Sequence, residues 1–168
     1  MNSAVSEQLT ALSPELLDAV EISGRIHEAR PWKSYSTLHF PDFDLCNPPD
    51  DLPQFDIVLC EQVLEHVPDA WRATRTLHDL AKPEGYVLVT TPFLYKVHPA
   101  PGDYWRFTLD GMRVLLESAG LRVVTVDGWG NRSAVRGSLR RDPPYRFWRS
   151  MKNNPNLPIV VWALAQRP

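Results

Sequence analysis

His98, Asp103, Tyr104 and Arg106 stand within one short stretch, HPAPGDYWRF, and together could move a proton and hold a polar ligand. An imidazole titrates near neutral pH, which suits His98 to the role of general base. Two roles are open to Asp103: orienting His98, or pairing with Arg106 to pin the loop. Tyr104, with Trp105 beside it, could line a pocket for a flat or apolar acceptor, and Arg106 could hold a polar group there. Pro99, Pro101 and Gly102 separate these groups, and the prolines reduce the ordering cost of so polar a loop. A metal role for His98 is not expected, because no second histidine or cysteine stands at ligand spacing. A second polar pair, Glu61-Gln62, abruptly ends the apolar run FDIVLC.

Elements on either side must position these groups. Phe55 to Cys60 reads as a buried parallel strand, and polar groups at the carboxyl end of such a strand lie where open α/β sheets bind ligands. Asp69 can cap the next helix. Ala70, Ala73, Leu77 and Leu80 mark its buried stripe, and Lys82-Pro83-Glu84-Gly85 ends it. Tyr86 to Thr91 is a second β-branched run, closed by Pro92. Strand, helix and parallel strand make one right-handed βαβ unit, and the HPAP loop leaves its far end. Thr108 caps a further helix with Met112, Leu115, Leu116 and Ala119 buried, and Gly120 ends it. Leu121 to Val126 and Leu157 to Ala165 read as later strands. Upstream, Val5, Leu9 and Leu12 share a helical face. Ser13-Pro14-Glu15 signals a cap and a short helical turn. Ala19 to Ile22 reads as a strand ending at Ser23-Gly24, and Tyr35 to Phe40 as another.

FDIVLCEQVLEHVPD followed by PEGYVLVTTPF resembles the middle of a class I S-adenosylmethionine-dependent methyltransferase, from its fourth strand to its fifth. The resemblance continues through HPAPGDYWRFTLDGMRVLLESAGLRVVTV, as in a small subgroup with an H-P-x-P-x-D-Y-x-R-[FW]-T loop. It implies a Rossmann-like α/β sandwich: a mostly parallel twisted sheet, helices on both faces, and an antiparallel strand near the C-terminus. It also implies S-adenosylmethionine as cofactor and methyl transfer to an oxygen or nitrogen of a small-molecule acceptor. Ser23 and Gly24 fall where the family has a glycine-rich turn, which lets backbone approach the cofactor; the family's turn carries more glycines than this one. Family members place acids after the second and third strands to bond the ribose and the adenine. Asp44 is the choice for a contact near the adenine and Asp42 a weaker one, although both also suit plain turn roles. Glu61 and Gln62 complete the cofactor set, and a carboxylate there would favour the positive sulfonium. His66, in VLEHV, is read as structural. The gap between the Ile22 and Phe55 strands is short for the usual two helices and two strands. One crossover helix is therefore expected to be cut down or replaced by a loop. Two other outcomes stay open: a non-catalytic binding protein of this fold, or a cofactor-binding member that runs another reaction such as cyclisation.

Composition sets the outer bounds. The 168 residues suit a single domain, 1–168, with an ordinary globular composition. A net charge of −2 speaks against general affinity for nucleic acid or an anionic membrane. Two cysteines and no visible signal segment point to a reducing, cytoplasmic setting. The longest apolar run, Leu157 to Ala165, is too short to span a bilayer. No G-x-G-x-x-G follows any strand, which argues against a nicotinamide enzyme. Residues 128–155 interleave arginines with aromatics and read as an exposed, partly helical insertion. That segment could cover the substrate site as a flap or pair two subunits in a homodimer.

Overall fold

The computed structural model describes residues 2–99, 101–139 and 152–168. Six strands form one sheet: β1 (Asp18–Ile22), β2 (Ser34–Leu38), β3 (Phe55–Glu61), β4 (Ala81–Pro92), β5 (Arg122–Trp129) and β6 (Val160–Gln166). Their order is β2-β1-β3-β4-β6-β5. β1 to β4 run parallel, and β6 is antiparallel to both β4 and β5. This is the Rossmann-like arrangement, with one reversed strand inserted near the end. No helix in the described residues is long and apolar enough to cross a membrane.

Strand alternation explains the layers. Val58, Cys60, Val87 and Val89 face one side of the sheet, where α2 (Ala70–Leu80) and α3 (Leu109–Ser118) pack Leu77, Leu80, Leu115 and Leu116 against them. Ile57, Leu59 and Leu88 face the other side, where α1 (Asn2–Ala11) supplies Val5 and Leu9. Both expected caps form: Asp69 Oδ1 accepts from Arg72 N at 2.9 Å, and Thr108 Oγ1 from Gly111 N at 3.0 Å. Gly120, with φ of 89°, carries the left-handed turn after α3. Ser13 precedes a single 3-10 turn, Pro14–Leu16, but makes no side-chain cap.

The first half is reduced further than the sequence reading expects. Neither the β1–β2 crossover (residues 23–33) nor the β2–β3 crossover (residues 39–54) contains a helix, and no strand forms beyond β2. Hydrogen bonds within these segments and to α2 hold them instead. Thr76 Oγ1 on α2 donates to Leu45 O at 2.8 Å, and Trp32 Nε1 donates to His27 O at 2.9 Å. The segment 82–85 also differs from the expected turn. It runs on as strand from Ala81, which pairs with Phe55, and the register breaks between Phe55 and Ile57.

A charged cluster closes the amino edge of the sheet. Asp18 accepts from Ser34 Oγ at 2.8 Å, Lys33 Nζ at 3.1 Å and Lys82 Nζ at 3.2 Å. Lys82 Nζ also donates to Asp56 at 2.9 Å. The Ser34 bond, then the two lysines, hold the Asp18 carboxyl well below the usual carboxylate range. Its folded pKa is therefore below its unfolded one. The stabilisation is complete above the unfolded value of about 3.9 and fades as pH falls toward the folded value. The urea midpoint is expected to drop as pH falls below about 4, and Asp18→Asn to flatten part of that slope; an unchanged slope would show that the cluster contributes nothing.

Candidate active site at the carboxyl edge of the sheet

The chain leaves β1 outward to β2 and then returns across β1 to β3, so the sheet's switch point lies between β1 and β3. The last pairing between them is Glu21 with Leu59. Beyond it both strands turn through residues in left-handed backbone, Ser23 at φ 54° and Gln62 at φ 56°. Such a conformation costs a non-glycine residue about 1–2 kcal/mol, so packing and hydrogen bonds must hold it. Ser23 N donates to Leu38 O at 2.8 Å, and Gln62 N to Thr90 O at 2.9 Å.

Glu21 organises the turn after β1. Its side chain is buried and accepts from Ile26 N at 2.8 Å, His27 N at 3.0 Å and the Tyr35 hydroxyl at 2.7 Å. Burial and this carboxylate push the Tyr35 hydroxyl's pKa up. Gly24 lies against the same group: a Cβ there would fall 2.4 Å from Glu21 Oε1. The sequence reading gives Gly24 room for a cofactor as its reason. The structure supplies a nearer one, which is that any side chain would evict the carboxylate that ties the turn.

His27 bridges from the turn after β1 to the end of β3. Its Nε2 makes a short hydrogen bond to Glu61 Oε1, and both side chains are nearly buried. Arg30 Nε donates to His27 Nδ1 at 3.3 Å. A guanidinium only donates, so Nδ1 is the acceptor and Nε2 carries the proton given to Glu61. Glu61 Oε2 accepts from Thr90 Oγ1 at 3.3 Å, and Gln62 Nε2 donates to the same hydroxyl at 3.0 Å. Ser23, Gly24, Glu61 and Gln62 thus gather at the ends of β1 and β3. Asp44 belongs to the β2–β3 crossover, where it accepts from Cys46 N at 2.8 Å and Asn47 Nδ2 at 2.9 Å, a turn role. Asp42 is exposed.

The loop after β4 folds back onto the 3-10 turn Leu64–His66 that follows β3. Three bonds fasten it. His66 Nδ1 contacts Gly102 O at 2.5 Å, Tyr104 N donates to Glu65 O at 2.7 Å, and Trp105 Nε1 donates to Val67 O at 2.9 Å. Of the two roles left open for it, Asp103 makes the Arg106 pair, and it bonds the backbone of His98 rather than its ring. It accepts a two-pronged bond from Arg106, at 2.7 Å from Nη2 and shorter from Nη1, and its Oδ2 also accepts His98 N at 2.8 Å. Oδ2 lies 3.2 Å from His98 Nδ1 as well, though misaligned for a hydrogen bond. The Arg106 bonds hold the Asp103 carboxyl well below the usual range. Tyr104 is exposed, with its ring over Gly102.

The structure brings His66 and His98 together, their ring centroids 5.0 Å apart and edge to face, which spacing along the sequence does not reveal. Glu65 lies beneath them, fully buried, and burial pushes its pKa up to about 7. Glu21, His27, Glu65 and Thr90 are site residues that sequence reasoning passes over. Glu21 alone leaves a signal: an acid inside the apolar run AVEI must find partners if the run is buried. Arg140, Arg141, Tyr145, Arg146, Phe147, Trp148 and Arg149 of the basic segment lie outside the described residues.

Comparison with known proteins identifies the fold's relatives. The family model for a methyltransferase domain matches residues 9–126, from α1 into β5. A ubiquinone biosynthesis O-methyltransferase of Pseudomonas aeruginosa is 46% identical over 43 residues, which is 25% of this chain and 18% of that protein. An S-adenosylmethionine-dependent methyltransferase structure from Clostridium acetobutylicum superposes with a TM-score of 0.64 at 7% identity, covering 99% of this chain and 90% of that one. The 1,6-didemethyltoxoflavin-N1-methyltransferase of Burkholderia thailandensis, solved with S-adenosylhomocysteine, gives 0.61 at 15% identity, covering 98% and 76%. With its family-wide match spanning more than half the chain and the β1–β3 switch point inside that span, this protein belongs to the class I S-adenosylmethionine-dependent methyltransferase family.

Proposed function

We propose that the chain transfers a methyl group from S-adenosylmethionine to an oxygen or nitrogen of a small-molecule acceptor. The observation that carries this reading is the β1–β3 switch point, with the acids Glu21 and Glu61 at the strand ends, within the segment that matches the family. The residues there suit the cofactor's chemistry. Glu61 offers a carboxylate to hydroxyls, Ser23 and Gln62 offer small polar groups, and Gly24 brings backbone close. Asp44 remains the proposed contact toward the adenine. Glu61 is bonded to His27 in the free chain, so binding exchanges that bond for ligand hydroxyls. When bound, the cofactor supplies an electrophilic methyl on a positive sulfur. The protein's part is to align the acceptor and exclude water.

His98, partly exposed on the loop after β4, is the proposed base for an acceptor hydroxyl; in support, Asp103 holds its backbone. Tyr104 and Arg106 face the acceptor side of the same loop in this reading. Gly128 and Trp129 end β5, and the rest of the 128–155 segment is proposed as the cover within one 1–168 domain. In support, Ser138 Oγ on α4 (Arg132–Ser138) donates to Leu94 O at 2.7 Å, tying the start of that segment to the loop. Homodimer formation belongs to the same proposal and is read out by mass in solution.

The His27–Glu61 contact favours one rival, a binding protein of this fold that has lost the cofactor. A cyclase, SpnF, also shares the fold, with a TM-score of 0.59 at 14% identity. Calorimetry with S-adenosylmethionine and S-adenosylhomocysteine separates the first case, since no heat with either rejects our reading. Mass spectrometry of the product separates the second, since methyl transfer adds one methyl group. His98→Ala should lower turnover by about a hundredfold and leave the S-adenosylhomocysteine dissociation constant unchanged; full activity would remove His98 from the role. Gly24→Val should abolish cofactor binding through the displaced Glu21 carboxylate, and an unchanged constant would count against this placement.

A further inference from the structure

Glu65 is a fully buried acid whose carboxylate oxygens make no hydrogen bond among the described residues. A buried carboxylate left so is costly, so an occupant that neutralises it is favoured. Two imidazoles face it: His66 Nε2 lies 3.7 Å and His98 Nε2 4.0 Å from Glu65 Oε1. These distances are too long for hydrogen bonds. They suit donors that share one ion, because ligands bound at about 2.0–2.2 Å to the same Zn²⁺ stand roughly 3–4 Å apart. One ligand atom from each of the three residues lies within 4.8 Å of the others.

The atoms behind the two rings point the same way. A carbonyl only accepts, so the His66 contact to Gly102 O places the proton on Nδ1 and leaves the Nε2 lone pair toward Glu65. His98 has Asp103 Oδ2 beside its Nδ1 and turns Nε2 inward. Metal-binding histidines commonly donate from the far nitrogen to a carbonyl or carboxylate, as His66 does; at His98 the 3.2 Å Asp103 contact is not aligned as a hydrogen bond. We propose that Glu65, His66 and His98 form a binding site for a divalent transition cation of the Zn²⁺ class. Two imidazoles and a carboxylate suit Zn²⁺ or Co²⁺ better than Mg²⁺ or Ca²⁺. Glu65 closes the site from beneath, while the His66 and His98 side chains are 17% and 31% exposed. Three protein ligands with an open outer side describe a catalytic rather than a structural metal position. The ion would polarise an acceptor hydroxyl, whose proton passes to water, and His98 would then serve as ligand instead of base. That use rests on the methyl-transfer reading; the site itself does not.

The test uses the full chain, purified without a histidine tag, stripped with a chelator and assayed without cofactor. Calorimetry with Zn²⁺ should give one equivalent per chain, and Co²⁺ should produce a visible absorption band. His98→Gln and Glu65→Gln should each weaken Zn²⁺ at least about tenfold. His78→Gln, which alters a separate imidazole–carboxylate pair with Asp79, should leave the affinity unchanged. Because Glu65 is buried and its variant is liable to misfold, His98→Gln, checked for native circular dichroism, decides. No stoichiometric Zn²⁺ binding in the parent chain, or equal affinity in His98→Gln, overturns the site. S-adenosylhomocysteine titrated in parallel reports separately on the methyl-transfer reading, so either can fail alone.

Discussion

Replacing Glu21 by alanine should lower the folding free energy by about 3 kcal/mol or more and abolish S-adenosylhomocysteine binding. Three donors converge on this one buried carboxylate: the Ile26 and His27 amides and the Tyr35 hydroxyl. A hydrogen bond to a charged acceptor contributes about 1.5–3 kcal/mol, and donors left buried without a partner add a desolvation cost. The residue also sits on the sheet's inner strand, where it joins β1, the following turn and β2. Alanine would free the turn that carries His27, and with it the geometry of the crevice. Glu21→Gln should cost less, because its amide keeps one accepting oxygen while its NH₂ faces a donor. Urea unfolding measures the first effect and calorimetry the second. A loss below about 1 kcal/mol would mean that the turn is held by something else.

Asp103→Ala ranks second, with an expected loss of about 3 kcal/mol and near-complete loss of turnover. Its carboxylate is only 2% exposed and binds Arg106 twice, together with the His98 amide. Removing it strands a guanidinium and releases the loop that presents His98. Arg106→Ala should cost nearly as much, because Asp103 is then left buried and unpaired. The double variant should be less damaged than the sum of the two, with a coupling energy of about 1–3 kcal/mol from a double-mutant cycle. Strict additivity would show that the two side chains do not act as a pair.

Which parts were legible follows from the range of the signals. β3, α2, β4 and α3 announce themselves through local period and caps, and Asp69 and Thr108 cap where the sequence places them. The antiparallel β6 is legible as an apolar run only, since its insertion between β4 and β5 is a matter of tertiary pairing. The crossovers on either side of β2 carry no helical period, and their loss of both helices exceeds the one that chain length suggests. Within the site, Asp103 and Arg106 are neighbours in sequence, so their bridge could be anticipated. Glu65 meets His98 only because backbone bonds dock two loops, and no local pattern encodes that meeting. His27 meets Glu61 because the Glu21 carboxylate holds the turn after β1, an equally non-local arrangement.

β6 separates β4 from β5, although it is made after both. Among the described strands β5 pairs only with β6, so during translation it lacks that partner until residues 160–166 emerge, and β4 is paired on one side only. The nascent chain therefore carries an open ladder of amides and carbonyls for the time taken to synthesise everything between Trp129 and Val160. Ribosome pausing within that interval, or premature termination before Gln166, would expose this ladder to neighbouring chains and to chaperones that bind extended segments.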